Sequence, residues 1–245
     1  MSLLLTVVTV SAFDHTRLKR TLQSTKNLPD KVEHVCIIPE KDLESRNLLD
    51  SERAHGRNLK IAYDTNSGVY GAMNLGASIA SGEYVIFWNS GDLLHSLSEF
   101  QNFLCELENI KPIWALAGGV HEDGRIHKNS LEGLRNFRDQ KPGSYVSHQV
   151  IASNRRFMFD VGLFDLNYKI AADTKMIHAF TRLGSPLVSH SRIVEIEAPQ
   201  LSAKHHRRSR YETAKLAVVD LILRTNYKPL INVLRRELRL LRRIQ

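Results

Sequence analysis

The chain has only two cysteines in 245 residues, Cys36 and Cys105, far apart in the sequence. That excludes a disulfide scaffold and any cysteine-built zinc cluster, and it points to a reducing compartment. No apolar run approaches the roughly 18 residues that a membrane span requires. The apolar stretch at residues 3–10 follows no positive charge and leads to no small-residue cleavage site. It reads as a buried strand, not a signal peptide. Neither G-x-G-x-x-G nor a P-loop occurs. Internal repeats and low-complexity linkers are also missing.

Basic charge is absent from most of the chain. The net charge is +8, yet residues 204–245 hold 12 Lys/Arg against 3 Asp/Glu, while residues 1–203 hold 22 against 23. The body is therefore close to neutral, and the basic character belongs to the tail. With no helix-turn-helix, zinc-finger or RNA-binding aromatic signature in the body, no nucleic-acid partner is expected. The composition, 42% hydrophobic and 24% charged, is that of a soluble globular protein.

Hydrophobic patterning predicts strands over residues 3–10, 32–38, 59–63, 84–88 and 113–120. Helices are predicted over 15–24, 68–80 and 97–110. Strands alternating with helices imply βαβ units and a mainly parallel sheet flanked by helices. The stretch 40–57 is polar, with no strand pattern. After residue 118 the rhythm changes. Residues 118–138 read as loop-rich, with an Asp123-Gly124 turn. Shorter strands are predicted at 145–153, 169–171 and 187–196, and helices near 155–161 and 173–183. Residues 202–245 read as two helices broken near 226–229. The organisation expected is one α/β domain over 1–203 and a basic helical tail over 204–245.

Three stretches carry candidate chemistry. The fourth strand runs into Asn89-Ser90-Gly91-Asp92. In open α/β sheets, ligands bind at the carboxyl ends of strands, and Asp92, Asn89 and Ser90 offer oxygens to a hard divalent cation bridging a diphosphate. On spacing alone a plain polar turn is the better account. Residues 67–76 are rich in glycine and small side chains, which suits close backbone approach at a helix start. Ser147-His148-Gln149 is followed about 25 residues later by Ala171-Ala172-Asp173. A carboxylate at a helix start is stabilised as an anion. It can act as a general base if it faces the site, or serve only as a capping charge.

Taken in order, these elements resemble the inverting glycosyltransferases of family 2, with the GT-A fold. Within that family they look most like the colanic-acid-type exopolysaccharide enzymes. The resemblance covers roughly residues 3–200. LLTVVTVSAFD is similar to the family's first strand and nucleotide-contacting loop. GVYGAMNLGASIASGEYVIFWNSGD resembles its G-I-Y-D-A-M-N-x-G … G-E-Y-x-x-x-L-N-S-G-D block. SHQVI and GLFDLNYKIAAD resemble its S/C-H-Q and G-x-F-D-x-x-Y-x-x-x-x-D elements. Three acidic family positions differ. Ile37-Ile38-Pro39-Glu40-Lys41 stands where I-D-G-x-S-x-D is usual, Asn66 replaces the second acid of E-x-D-x-G, and Gly71 replaces the Asp of Y-D-A-M-N.

The resemblance implies inverting transfer of a sugar from a nucleotide-diphosphate donor to a saccharide acceptor, lipid-linked, in bacterial surface polysaccharide biosynthesis. It implies a divalent metal, Mg²⁺ or Mn²⁺, held by Asp92. Val10, Ser11, Asn89 and Ser90 would contact the donor, with Val10 and Ser11 acting mostly through backbone. Asp173 would be the catalytic base, and His148 and Gln149 would contact acceptor or phosphate. The lost acids support an alternative, a catalytically inactive relative serving as a binding or membrane-associated assembly module. Leu230, Leu234, Leu238 and Leu241 form one helical stripe flanked by Arg235, Arg239 and Arg242. By composition that pattern suits equally a helix lying on an anionic membrane surface and one whose leucines dock on the body or on a second subunit. The implied lipid-linked acceptor tips the expectation to the membrane, and the expected location is cytoplasmic, peripheral at its inner face.

Overall fold

A computed structural model describes residues 2–224, apart from 66, 128, 140, 142, 143, 145 and 198–204. The second half of the tail, with its leucine stripe, lies outside the described residues. The first strands are β1 (Leu5–Val10), β2 (Val32–Pro39), β3 (Leu59–Asp64) and β4 (Tyr84–Asn89). They form a parallel block in the order β3-β2-β1-β4. The apolar runs of β1 and β4 follow from burial on both faces, whereas β3 lies at the sheet edge. Along β1, Val8 and Val10 enter one core while Leu5 and Val7 enter the other. In β4, Val85 and Phe87 join the first core and Tyr84, Ile86 and Trp88 the second.

Between the strands lie α1 (His15–Ser24), α2 (Leu43–Ala54) and α3 (Val69–Ile79). The helix α2 was not expected from the polar stretch 40–57. Asp42 caps it by accepting from the Ser45 N–H at 3.1 Å, and Leu49 is its buried apolar anchor. Leu43 at its start is exposed, so no apolar stripe shows in the sequence.

The sheet then changes character. A short β5 (Leu93–Leu94) is followed by α4 (Leu97–Ile110), β6 (Trp114–His121), β7 (Ile126–His127), α5 (Leu131–Arg138), β8 (Ile151–Asn154), α6 (Arg155–Asp160), α7 (Ala172–Leu183) and β9 (Leu187–Ile196). The order beyond β4 is β8-β6-β9-β5, with β7 paired to β6. Strand β8 runs antiparallel to both β4 and β6, whereas β9 is parallel to β6. The sheet as a whole is the expected mainly parallel one.

Three local expectations are corrected. The region 118–138 is less loop-like than predicted, because α5 is capped by Ser130 and buries Leu134 and Phe137. The strand predicted over 145–153 shrinks to β8, preceded by a 3₁₀ turn at His148–Val150. Residues 169–171 form no strand. Their apolar side chains are buried in the core while their N–H groups are taken by a side chain from the tail.

The tail begins with α8 (His206–Arg224), which buries Leu216 and Ala217. Leu216 belongs to the same core as Val8 and Phe87. Among the described residues, no helix is long and apolar enough to cross a membrane.

Candidate active site

Strand order reverses at β1, with β2 and β3 on one side and β4 on the other. Such a switch point leaves a crevice outside the carboxyl ends of the strands. Here it opens as a cleft of about 340 Å³. Val10, Ser11, Asn89, Ser90, Asp92, His148, Gln149 and Asp173 all line it. The cleft thus brings together every residue singled out as a donor, metal, acceptor or catalytic contact.

One wall is made by strand ends. Val10 pairs with Asn89 in the β1–β4 register, and the Ser90 N–H donates to the Val10 carbonyl at 3.0 Å. The turn after β4 closes on itself, with the Asn89 N–H donating to Asp92 Oδ2 at 2.7 Å. Gly91 at φ 101° permits that bend, and its N–H donates to Thr21 Oγ1 of α1 at 2.9 Å.

Asp92 is 2% exposed. Burial pushes its carboxyl up to about 6, against the opposing pull of the Asn89 and Glu197 N–H groups, His148 and Gln149. The Glu197 N–H donates to Asp92 Oδ1 at 3.1 Å. The Gln149 amide nitrogen makes no full hydrogen bond although it is buried, but it lies close enough to favour the Asp92 charge. A costly buried carboxylate beside an unsatisfied donor suits a site completed by a ligand.

The opposite wall carries His148 and Asp173. His148 Nδ1 lies 3.3 Å from Asp173 Oδ2, and its Nε2 lies 3.5 Å from Asn89 Nδ2. One imidazole therefore spans the two walls. The Tyr70 hydroxyl lies 2.7 Å from the Ile170 carbonyl oxygen and 3.1 Å from Asp173 Oδ1. Burial and the Asp173 charge raise the Tyr70 pKa, so Tyr70 stays a neutral donor. Asp173 sits in the first turn of α7 and accepts from the Thr174 N–H at 2.7 Å.

Sequence reasoning passed over Tyr70, Phe13, Asp64, Arg17 and Glu197, which also line the cleft. Tyr70 stood inside the quoted glycine-rich block, so its signal was available. Phe13 is 68% exposed in a left-handed backbone conformation (φ 55°), held where its N–H donates to Asp42 Oδ2 at 2.6 Å. Gly71, the changed acidic position, is accounted for locally. A Cβ there would collide with the Ser67 side chain, and Ser67 is bonded to Asp64 through both its N–H and its hydroxyl. Glu197 crosses from the end of β9 and pairs with Arg17 at 2.8 Å and Arg20 at 2.6 Å. No pattern in the sequence marks it.

The donor set can be tested against a divalent cation. Among the described residues, no cluster of three His, Cys, Asp or Glu could hold a metal unaided. Magnesium-like cations on phosphates need only one or two protein carboxylates, the rest being phosphate and water. Asp92, with Asn89 and Ser90 beside it on the cleft wall, fits that limited role.

Comparison with known proteins narrows the reading. Residues 6–162 match the family model described as glycosyl transferase family 2. The chain belongs to glycosyl transferase family 2. It is 26% identical over 128 residues to a protein named PGL/p-HBAD biosynthesis glycosyltransferase from Mycobacterium tuberculosis, covering 48% of this chain and 45% of that protein. The chain thus spans about half the length of the curated relatives it matches.

Among solved structures, this family 2 chain is similar to S. aureus TarS in complex with UDP-GlcNAc, with TM-score 0.69, 14% identity, and 89% of this chain and 67% of that one covered. It is also similar to the mannosyltransferase PcManGT of Pyrobaculum calidifontis in complex with GDP-Man and Mn²⁺, with TM-score 0.67, 16% identity, and 94% and 68% covered. At these identities the likeness is one of fold, and it agrees with the expected GT-A arrangement.

Proposed function

We propose that this chain transfers a sugar, with inversion, from a nucleotide-diphosphate donor to a saccharide hydroxyl. The observation that carries the reading is the cleft itself. It faces a strand-end wall of oxygen ligands, centred on Asp92, with a wall holding His148 and Asp173.

In this reading the donor diphosphate lies against Val10, Ser11, Asn89, Ser90 and Asp92. The exposed Phe13 ring at the cleft gives the nucleobase a flat apolar face. A divalent cation, Mg²⁺ or Mn²⁺, held by Asp92 would neutralise charge on the leaving diphosphate. The acceptor hydroxyl approaches from the Asp173 side. As its oxygen bonds to the anomeric carbon, its proton passes to the Asp173 carboxylate, and the bond from that carbon to the diphosphate oxygen breaks. Tyr70 and His148 orient that carboxylate through the contacts on its two oxygens. The Gln149 amide is placed to donate to a phosphate or acceptor oxygen.

We read the acceptor as lipid-linked and the setting as surface polysaccharide assembly at the inner membrane face. This draws on the colanic-acid-type motifs and the basic tail. The replaced acidic positions keep one alternative open, an inactive assembly module.

A thermal-shift series with UDP-GlcNAc and GDP-mannose, each with and without Mn²⁺, tests the reading. A donor at a hundredfold excess over its Kd adds about 2.7 kcal/mol, a rise of several degrees for a chain of this size. A Mn²⁺-dependent rise followed by release of free nucleotide supports transfer. A rise without nucleotide release supports an inactive assembly module, and no rise with any nucleotide sugar overturns the transfer reading.

A further inference from the structure

Of the three acidic residues in the basic region 204–245, Glu212 is buried in the body at 3% exposed. Its carboxylate accepts three consecutive backbone N–H groups. Lys169 donates to Oε1 at 3.0 Å, and Ile170 and Ala171 donate to Oε2 at 2.8 and 3.0 Å. Arg208, one turn earlier in α8, pairs with Oε1 at 2.9 Å. These contacts hold the Glu212 carboxyl below its usual range despite burial.

The place of the contacts matters. Residues 169–171 lead directly into α7, and Ala171 at its N-cap has no side chain able to cap it. Buried N–H groups at and just before a helix start need acceptors, and those of residues 169–171 find theirs on a helix some 40 residues further along. Ile170, whose N–H is held by Glu212, offers its carbonyl to the Tyr70 hydroxyl, and that same hydroxyl reaches Asp173. Ile170, Tyr70 and Asp173 all line the cleft. Around this strut, α8 is seated by buried Leu216 and Ala217, and Lys215 lies 4.8 Å over the Tyr168 ring.

We propose that Glu212 is a positioning residue for sugar transfer, a strut from the tail helix that fixes the Lys169–Ala171 turn and, through Tyr70, the Asp173 carboxylate. The inference rests on the reading of Asp173 as the base. It makes the first helix of the tail part of the active site instead of a detachable attachment.

The test uses the full chain with UDP-GlcNAc and GDP-mannose in the presence of Mn²⁺. Nucleotide release gives kcat and KM, calorimetry gives donor affinity, and amide exchange follows residues 165–175. Glu212→Ala is expected to lower kcat about 10- to 100-fold, as small misplacements do. Donor Kd should stay within about twofold, and exchange in 165–175 should quicken. Glu212→Gln keeps one acceptor oxygen and should recover part of kcat.

Wild-type kcat or unchanged exchange in Glu212→Ala overturns the proposal. So does an equal loss of donor affinity and kcat, which would mean general collapse of the cleft. If Glu212→Ala does not fold, Glu212→Gln decides by the same split between kcat and Kd. Asp173→Asn separates the two readings. If it retains kcat, the base assignment fails and this inference with it. If it is inactive while Glu212→Ala keeps wild-type kcat, only the strut fails.

Discussion

Ser11, Asn89 and Asp92 are held by the ends of paired parallel strands, whereas His148 and Asp173 are held by side chains reaching in from distant parts of the chain. On the first wall, the β1–β4 register and a backbone-closed turn set the geometry. On the second, Tyr70, Asn89 and Glu212 supply the contacts across large sequence separations. A strand end is fixed by the core beneath it. A turn tied by side chains is only as fixed as those few bonds. Under the proposed function, the wall set by strand ends is the donor's and the wall tied by side chains is the acceptor's.

The largest expected effects separate the walls by what they bind. Asp92→Ala should remove cation-dependent donor binding, a loss of roughly a hundredfold or more if the carboxylate anchors the metal. Asp173→Asn should leave donor binding within about twofold yet lower transfer by about 10²- to 10⁴-fold, the usual range for a general base. Calorimetry with Mn²⁺ and donor, run beside turnover, reads both. Donor binding lost equally in the two variants would show that the walls do not divide the work.

Packing should differ in the same sense. A Cβ at Gly82 would lie 2.6 Å from backbone atoms of Leu5 and Thr6. Backbone at the start of β1 cannot give way, so Gly82→Ala should destabilise by about 3 kcal/mol. Gly124, in the turn between β6 and β7, has φ 80° and open space around it. Gly124→Ala should lose only about 1 kcal/mol, the strain of a left-handed alanine. Urea denaturation of the two variants measures the contrast.

The same contrast governed what the sequence disclosed. Strands β1, β2 and β4 were legible because burial makes them predominantly apolar. Residues 10–11 and 89–92 were legible with them, since the end of a strand is visible wherever its apolar run stops. Helix α2 was not legible, because Leu49 is its one buried apolar side chain, Leu48 beside it is only half-buried, and the rest of its surface is polar or exposed. The apolar run at 169–171 imitated a strand, yet its N–H groups belong to Glu212. His148 and Asp173 were found through order and motif. Their neighbours Glu197 and Glu212 carry no local signal, since a single acid in a polar or basic stretch looks solvated.

Each region also buries a histidine, and acid should weaken both. His34 on β2 lies 2.9 Å from Thr9 Oγ1 through Nε2, with Thr25 and Arg57 at Nδ1. Burial, then the Arg57 charge, lower its pKa from 6.5 to about 3. His127 on β7 is lowered to about 4, chiefly by burial and then by His121. As pH falls through 6.5 the unfolded chain takes up protons that the folded chain refuses, so stability present above that pH is lost below it. By pH 5 each histidine should account for about 2 kcal/mol. Denaturation at pH 7 and pH 5 should show the difference shrinking by about that amount in His34→Gln. An unchanged difference would mean that His34 accepts its proton in the fold.

The smallest effect tests the charges beside the strand-end wall. Arg17 and Arg20, one turn apart on α1, both pair with Glu197. Their side chains are 35% and 43% exposed, so solvent screens both pairs and either Arg→Ala change should alter stability by no more than about 1 kcal/mol. Only Arg17 lines the cleft. A diphosphate bound beside Asp92 would bring negative charge to a guanidinium that Glu197 only partly neutralises, and Arg17 can turn toward it while Arg20 keeps Glu197 in place. Arg17→Ala should therefore weaken donor binding several-fold, and the loss should fade as salt screens the attraction. Arg20→Ala should leave donor affinity nearly unchanged at every salt concentration. Equal, salt-independent effects from the two arginines would assign both to holding Glu197 over the Asp92 turn, and would confine donor recognition on this wall to the strand ends themselves.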